Sequence, residues 1–194
     1  MIKVSNTEKD YVPVNEMTFL FNLSSTNYDY QQAINELNSN IEILTTDLQK
    51  MGYDNLEVIN YSIREIYEKD VKRGYRGSAT IELVLPYDQQ ELLRIVNMLS
   101  NSESNASFSL QFSNNQVDSL KNLLIDKAYK GALVKANILA NSSGTEITGI
   151  EEMNLRDINY IPYRMAESSV QLAPQDIELQ TTVEVNYNIR KKSQ

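Results

Sequence analysis

Hydrophobic and polar residues follow two different periods along this chain, and these predict a mixture of strands and amphipathic helices. Three segments repeat an apolar residue every three or four positions, the spacing of one helix face. They run from the capping residues before Tyr28 to about Met51, from Asp88 to about Leu99, and from about Asn115 to Asn141. Apolar residues alternate with polar ones, as in half-buried strands, at 11–23, 56–67, 75–85, 106–112, 146–155 and 178–189.

The third predicted helix carries the most informative pattern. Alanines recur every four residues, so they form one ridge of small side chains along the helix. The ridge consists of Ala128, Ala132, Ala136 and Ala140. Such a ridge lets a helix lie close against a sheet or another helix. It indicates a fold but no reaction.

The order of the predicted elements suggests an internal repeat. Residues 17–86 and 106–190 each contain a strand, a long helix, a glycine and two further strands, and a helix at 88–100 links them. Chance recurrence of a common unit remains an alternative. We therefore predict an α+β fold in a single domain over 1–194. It would have two β-α-β-β-like halves joined by a helix, with long helices packed on antiparallel or mixed sheet.

Composition excludes several classes of function. The net charge of −8 argues against nucleic-acid binding, because phosphate neutralisation needs clustered Lys and Arg. The chain has no cysteine and no histidine, which removes thiolate nucleophiles, imidazole metal ligands and Ser-His-Asp triads. We expect no catalytic residues, no cofactor and no metal site, and hence no enzyme activity.

Hydropathy gives an expectation about location. No stretch reaches the roughly 18 consecutive apolar residues of a membrane-spanning helix. The N-terminal segment also lacks the continuous apolar region of a signal peptide. We expect a cytoplasmic protein as the sequence is written, or a periplasmic, cell-surface or secreted one if a signal peptide has been removed.

Acidic residues cluster in several places, for example Glu151 with Glu152 and Asp176 with Glu178. Neighbouring residues of a strand point to opposite faces, so Glu151 and Glu152 cannot act as a pair. A solvated surface is the favoured interpretation of these clusters, and a weak cation site is the alternative.

A short basic segment at Gly74–Gly77 predicts a hairpin turn. It could also present Arg73 and Arg76 to an acidic partner, although the turn alone explains the sequence.

Residues 156–175 have no clear period and contain Pro162 and Pro174, which predicts a long loop or arm. Aromatic residues with a polar end are common in protein interfaces. We predict that this arm makes an oligomer contact; the alternative is that it packs over its own sheet. The contact would involve Tyr160, Ile161, Tyr163 and Met165.

Several of these segments resemble the SIMPL domain family, which is also catalogued as a domain of unknown function and includes bacterial periplasmic and outer-membrane immunogenic proteins. The resemblance covers roughly 19–189. The residues that carry it are Ala128, Ala132, Lys135, Ala136, Leu139, Ala140, Gly144, Gly149 and Glu152, with Gly52, Ile59, Asn60, Ser62, Ile63, Tyr67, Gly74, Tyr75, Asp88, Pro174 and the 183–189 run.

The resemblance implies an α+β fold that can form ring- or channel-like homo-oligomers, and it implies no catalytic residues. We therefore expect a non-enzymatic protein that acts by homo-oligomeric assembly or through a protein partner, with stress response as one setting. The alternative is a module that binds a small ligand or a cation.

Overall fold

The computed structural model of this chain describes residues 1–159, 163–166 and 176–192. Within these ranges the chain forms three helices and eight strands, and every paired strand is antiparallel to its neighbour, which confirms the predicted α+β class. The helices are α1 (Tyr30–Lys50), α2 (Gln89–Asn101) and α3 (Val117–Ser142). The strands are β1 (Ile2–Pro13), β2 (Glu16–Asn27), β3 (Leu56–Glu68), β4 (Val71–Pro86), β5 (Ser107–Ser113), β6 (Thr145–Asn159), β7 (Tyr163–Ala166) and β8 (Asp176–Lys191).

The chain divides into two compact units. One comprises Met1–Pro13, Asn114–Pro162 and Gln175–Gln194. Its sheet has the strand order β1-β8-β6, and helix α3 packs across all three strands. The predicted alanine ridge is at most 2% exposed and packs on the inner face of the sheet. That face includes Val4, Val183, Val185 and Tyr187.

The other unit comprises Val14–Ser113 and Tyr163–Pro174. Its sheet has the strand order β3-β4-β2-β5-β7, and helix α1 packs on β2 and β4. Asp29 caps the N-terminus of helix α1, and its side chain accepts a hydrogen bond from the backbone N–H of Gln32. The side chains with no exposed surface in this unit include Met17, Phe19, Phe21, Leu37, Leu44, Leu48, Ile81 and Leu83.

The sequence pattern does not predict strand β1; it predicts a single strand over 11–23. In the structure β1 ends at Pro13 and β2 begins at Glu16. Three of the inward positions of β1 are polar (Asn6, Glu8 and Asp10), so the strand shows no hydrophobic alternation. Tertiary contacts and pairing with β8 hold it in the sheet instead.

Strand β5 also differs from its predicted role. The repeat pattern places it at the start of the second half, but it pairs with β2 and belongs to the five-stranded sheet. Strand β1 takes the corresponding place in the smaller sheet, since the order β6-β8-β1 matches β3-β4-β2. Each unit thus contains the β-α-β-β arrangement in space, but the smaller unit takes its first strand from the N-terminus.

Two predicted loops are shorter in the structure. The turn between the strands predicted at 56–67 and 75–85 contains only Lys69 and Asp70, with φ of 49° and 64°, as in a two-residue turn of type I′. The hairpin turn predicted at Gly74–Gly77 is wrong, because these residues lie within β4. The aperiodic segment 156–175 is not wholly irregular, because β6 continues to Asn159 and β7 pairs with β5. The added part of β6 and the whole of β7 are each only four residues long, too short for alternation to indicate a strand.

Candidate functional site

Helix α3 is held close to β1 by a polar contact. The Asn6 side chain is buried and donates a hydrogen bond to the backbone oxygen of Ala128 at 3.2 Å. Gly131 lies beside it, and a Cβ atom at that position would come within 2.1 Å of Nδ2 of Asn6. An ion pair of 3.1 Å between Lys127 and Asp10 lies along the same contact. The absence of a side chain at Gly131 therefore allows the helix to approach β1.

Strand β6 lies at the opposite edge of this sheet, and the helix leaves it partly uncovered. Ile150, Met153 and Leu155 lie on the helix-facing side of β6, yet they are 46%, 57% and 50% exposed. The residues paired with them in the central strand are at most 2% exposed. These paired residues are Tyr187, Val185 and Val183.

The uncovered side chains form one wall of a groove between β6 and α3, with a volume of about 470 Å³. Ile125 and Tyr129 of the helix line the other wall. An exposed apolar surface of this kind is typical of an interaction site. The groove is therefore the best candidate for a functional surface in this unit.

The outer edge of β6 adds backbone groups to this surface. Strand β6 pairs with β8 on one side and has no partner strand on the other within the described residues. Such an edge presents unpaired N–H and C=O groups to another chain. Bulges interrupt the register of β6 at three places, but the segment Glu152–Arg156 pairs with β8 without interruption.

Charged side chains lie at both ends of this segment, on the face of the sheet opposite the groove. Glu152 accepts hydrogen bonds from Asn186 at 2.8 Å and from Asn154 at 3.1 Å. Arg156 forms an ion pair of 2.7 Å with Glu184, and its side chain is 72% exposed. The segment thus has a carboxylate at one end, a guanidinium at the other and apolar side chains on its other face.

The oligomer contact predicted from the sequence falls on a different segment. Tyr160 and Ile161 lie outside the described residues. Tyr163 and Met165 belong to strand β7, where they pair with Phe112 and Leu110 of β5. That contact stays a prediction.

The acidic clusters mostly neighbour basic or amide groups. Glu178 is bonded to Lys9 at 2.8 Å, and this hydrogen bond is the main cause that holds the pKa of Glu178 below its usual value. Glu65 is bonded to Lys72 at 2.5 Å, which lowers the pKa of that carboxyl in the same way. In the described part of the chain, no three acidic side chains are grouped as a metal site would need.

Among the described residues, the longest apolar run of any helix is too short to cross a membrane.

Comparisons with known proteins give a family but no activity. The family model described as SIMPL, protein of unknown function (DUF541), matches residues 2–187. No curated protein matches the chain. A crystal structure described as a hydrolase from Listeria innocua is 12% identical and covers 92% of each chain, with a TM-score of 0.23. A likeness at that level carries no argument about a reaction.

Proposed function

We propose that this chain, which belongs to the SIMPL family of proteins of unknown function, is a non-enzymatic protein that acts by assembling with itself through the free edge of β6. The observation that carries the proposal is the segment Glu152–Arg156. When two copies of it run in opposite directions, charged residues face residues of opposite charge and apolar residues face apolar ones.

Two copies of the segment would pair as antiparallel strands about a two-fold axis at Asn154. Residues directly opposite each other in such a pair share one face of the sheet. In this register Met153 would meet Leu155 of the second copy on the groove side. Glu152 would meet Arg156 of the second copy on the other side. Symmetry makes each of these contacts occur twice.

This pairing would account for the two features of the site, the unpaired backbone edge of β6 and the exposed apolar groove. Backbone groups at the β6 edge would gain hydrogen-bond partners, and the two apolar grooves would lie side by side on one face of a continuous sheet. Arg156 can keep its ion pair with Glu184 while it meets the second copy, because a guanidinium has five N–H donors. The proposal therefore requires no rearrangement of the unit.

The test uses two charge-reversal variants. Each variant alone should dimerise weakly, and a mixture of the two should dimerise as the wild type does. Glu152→Arg places two cations opposite each other across the interface, and Arg156→Glu places two carboxylates there. Opposite-charge pairs contribute about 0.2–1 kcal/mol each and like charges cost similar amounts, so reversing two pairs weakens the dimer by about 1–4 kcal/mol. That corresponds to a loss of roughly fivefold to several hundredfold in affinity.

Light scattering after size-exclusion chromatography measures the outcome. We expect the wild-type mass to be at least twice the 22.2 kDa of one chain, and each single variant to dissociate at concentrations where the wild type does not. An equimolar mixture of the two variants should recover the dimer, because both facing pairs become complementary. Glu57→Arg, on the exposed edge strand β3, is the matched control and should leave the mass unchanged. A monomeric wild type, or a mixture that stays monomeric, would contradict the proposal.

The groove also favours a second candidate, which is the binding of an apolar small molecule. Its lining is mostly apolar, and its volume of about 470 Å³ lies in the range of small-ligand sites. Fluorescence of an uncharged apolar dye such as Nile red would test this. Saturable binding that Met153→Lys abolishes, in a protein that stays monomeric, would favour the ligand over the second copy.

A further inference from the structure

The β3–β4 hairpin concentrates positive charge on an acidic protein. From Arg64 to Arg76 the chain contains five Lys or Arg residues and three Asp or Glu residues, whereas the whole chain carries a net charge of −8. A local excess of cations on such a background attracts anions to one place.

Two arginines of this hairpin lie directly opposite each other. Arg64 of β3 pairs in register with Arg76 of β4, and Thr26 of β2 pairs with Arg76 from the other side. Both arginines are exposed, and neither forms an ion pair within the described residues. Like charges at directly opposite positions destabilise a sheet. The arrangement therefore lacks a compensating anion.

Arg76 also lines an open cleft of about 930 Å³. The β4 backbone at Gly74 forms a close contact beside it, since a Cβ atom there would lie 2.5 Å from the backbone oxygen of Asn27. Arg73 uses its Nε atom in an ion pair of 3.0 Å with Glu68. Arg73 and Glu68 both line the cleft, together with Thr26, Asn27, Tyr28 and Ile66. Arg64 is not part of this lining, but it lies beside the cleft, directly opposite Arg76.

We propose that this cleft binds an organic molecule that carries a phosphate or sulfate group. Guanidinium groups bind such oxyanions through paired N–H donors. A tetrahedral oxyanion has enough oxygen atoms to accept from both Arg64 and Arg76 and from the hydroxyl of Thr26. Ile66 and Tyr28, whose ring is exposed, provide apolar surface for the organic part.

Phenyl phosphate is a suitable probe because it combines the dianionic group with an aromatic ring. Isothermal titration calorimetry in a low-salt buffer free of phosphate and sulfate should detect saturable binding to one site per chain. Arg76→Gln should weaken binding by about tenfold to a hundredfold, since it removes charge-assisted hydrogen bonds. Arg94→Gln changes an exposed arginine of the same unit that is paired with Glu91, and it should leave the affinity unchanged. Phenyl sulfate keeps the ring but carries a single negative charge, so its affinity measures the contribution of the second charge. Inorganic phosphate lacks the ring, so its affinity measures the contribution of the ring.

Thermal unfolding gives a second readout that a purely structural role would not produce. Without ligand, Arg64→Gln should unfold at the same temperature as the wild type or higher, because it relieves the repulsion from Arg76. Phenyl phosphate should raise the unfolding temperature of the wild type and have much less effect on Arg64→Gln. The proposal fails if the wild type shows no saturable binding, or if Arg94→Gln weakens it as much as Arg76→Gln. It also fails if Arg76→Gln changes the solution mass while leaving phenyl phosphate affinity intact, since the cleft would then be a protein contact.

Discussion

Replacing Gly131 with alanine tests how helix α3 is held against β1, and hence why it leaves β6 uncovered. In the interior of an isolated helix, alanine is more stable than glycine by about 1 kcal/mol. In the folded protein, however, the new Cβ atom would lie 2.1 Å from Nδ2 and 2.8 Å from Cγ of Asn6. Both distances are shorter than any van der Waals contact, so the Asn6 side chain has to move.

The cost follows from what Asn6 would lose. Its amide donates to the backbone oxygen of Ala128 at 3.2 Å and to the carboxylate of Glu8 at 2.9 Å. Losing a hydrogen bond costs about 0.5–1.5 kcal/mol, and forcing an extra carbon into a packed contact costs about 1–3 kcal/mol. After subtracting the gain in helix propensity, we expect Gly131→Ala to lower the free energy of unfolding by about 1–3 kcal/mol.

A double-mutant cycle separates the contact from the propensity. Asn6→Ala removes the obstructing atoms, so Gly131→Ala in that background should stabilise the protein by up to about 1 kcal/mol. Urea denaturation followed by circular dichroism measures the four free energies of unfolding. All four proteins are compared at one concentration, because self-assembly would change the apparent stability.

The decisive observation is whether the effect of Gly131→Ala on the free energy of unfolding changes sign between the wild type and the Asn6→Ala protein. If Gly131→Ala destabilises the Asn6→Ala protein as much as the wild type, Asn6 is not the obstacle and our account of the helix position is wrong. A changed dependence on urea concentration in either single variant would signal a change in the unfolded state rather than in the contact.

Two further predictions concern the other unit. Gly74→Ala should destabilise the protein more than Gly52→Ala in urea denaturation, because both glycines have positive φ but only a Cβ at Gly74 would meet backbone, 2.5 Å from the oxygen of Asn27; equal losses would refute this. Burial, followed by a hydrogen bond to the carboxylate of Glu91, raises the pKa of Tyr53 from 10.0 to about 12. The folded state therefore keeps a proton that the unfolded chain releases, so this stabilisation is complete below about pH 10 and is lost as the pH rises through about 12. Glu91→Gln removes the carboxylate, so an ultraviolet titration of the phenol should give a lower pKa for Tyr53 than in the wild type. An unchanged titration would contradict the assignment.

Periodicity predicts those elements whose buried faces are apolar. The alanine ridge of α3 and the alternating run Met17–Leu23 both point into cores. Helix α3 forms close to its predicted bounds, and the run lies in β2, although the single strand predicted over 11–23 is divided between β1 and β2. Strand β1 could not be found in this way, because Asn6, Glu8 and Asp10 occupy inward positions. Its partner strand β8 also lies at the far end of the chain, so no local turn signals the pairing.

The groove could not be predicted, because it depends on where the helix lies across the sheet. The sequence shows Gly131 and Asn6, but only the fold brings them together. Once β6 is known to be an edge strand, the complementarity of Glu152–Arg156 can be read directly from the sequence. The missing step was therefore the strand order rather than the chemistry of the residues.

The two edge strands that follow the long helices occupy equivalent places, yet their sequences favour different uses. In antiparallel pairing about a two-fold axis, only residues on the same face meet. In β6, Glu152 and Arg156 share a face and lie symmetrically about the centre of a regular segment, so two copies attract each other. In β3, Arg64 and Glu68 have the same spacing, but a bulge interrupts the register between Ile66 and Tyr67. Glu68 is also the last residue of the strand and already forms an ion pair with Arg73. We therefore expect a second copy to pair with β6 rather than with β3, and the unpaired arginines of the β3–β4 hairpin are better suited to a small anion.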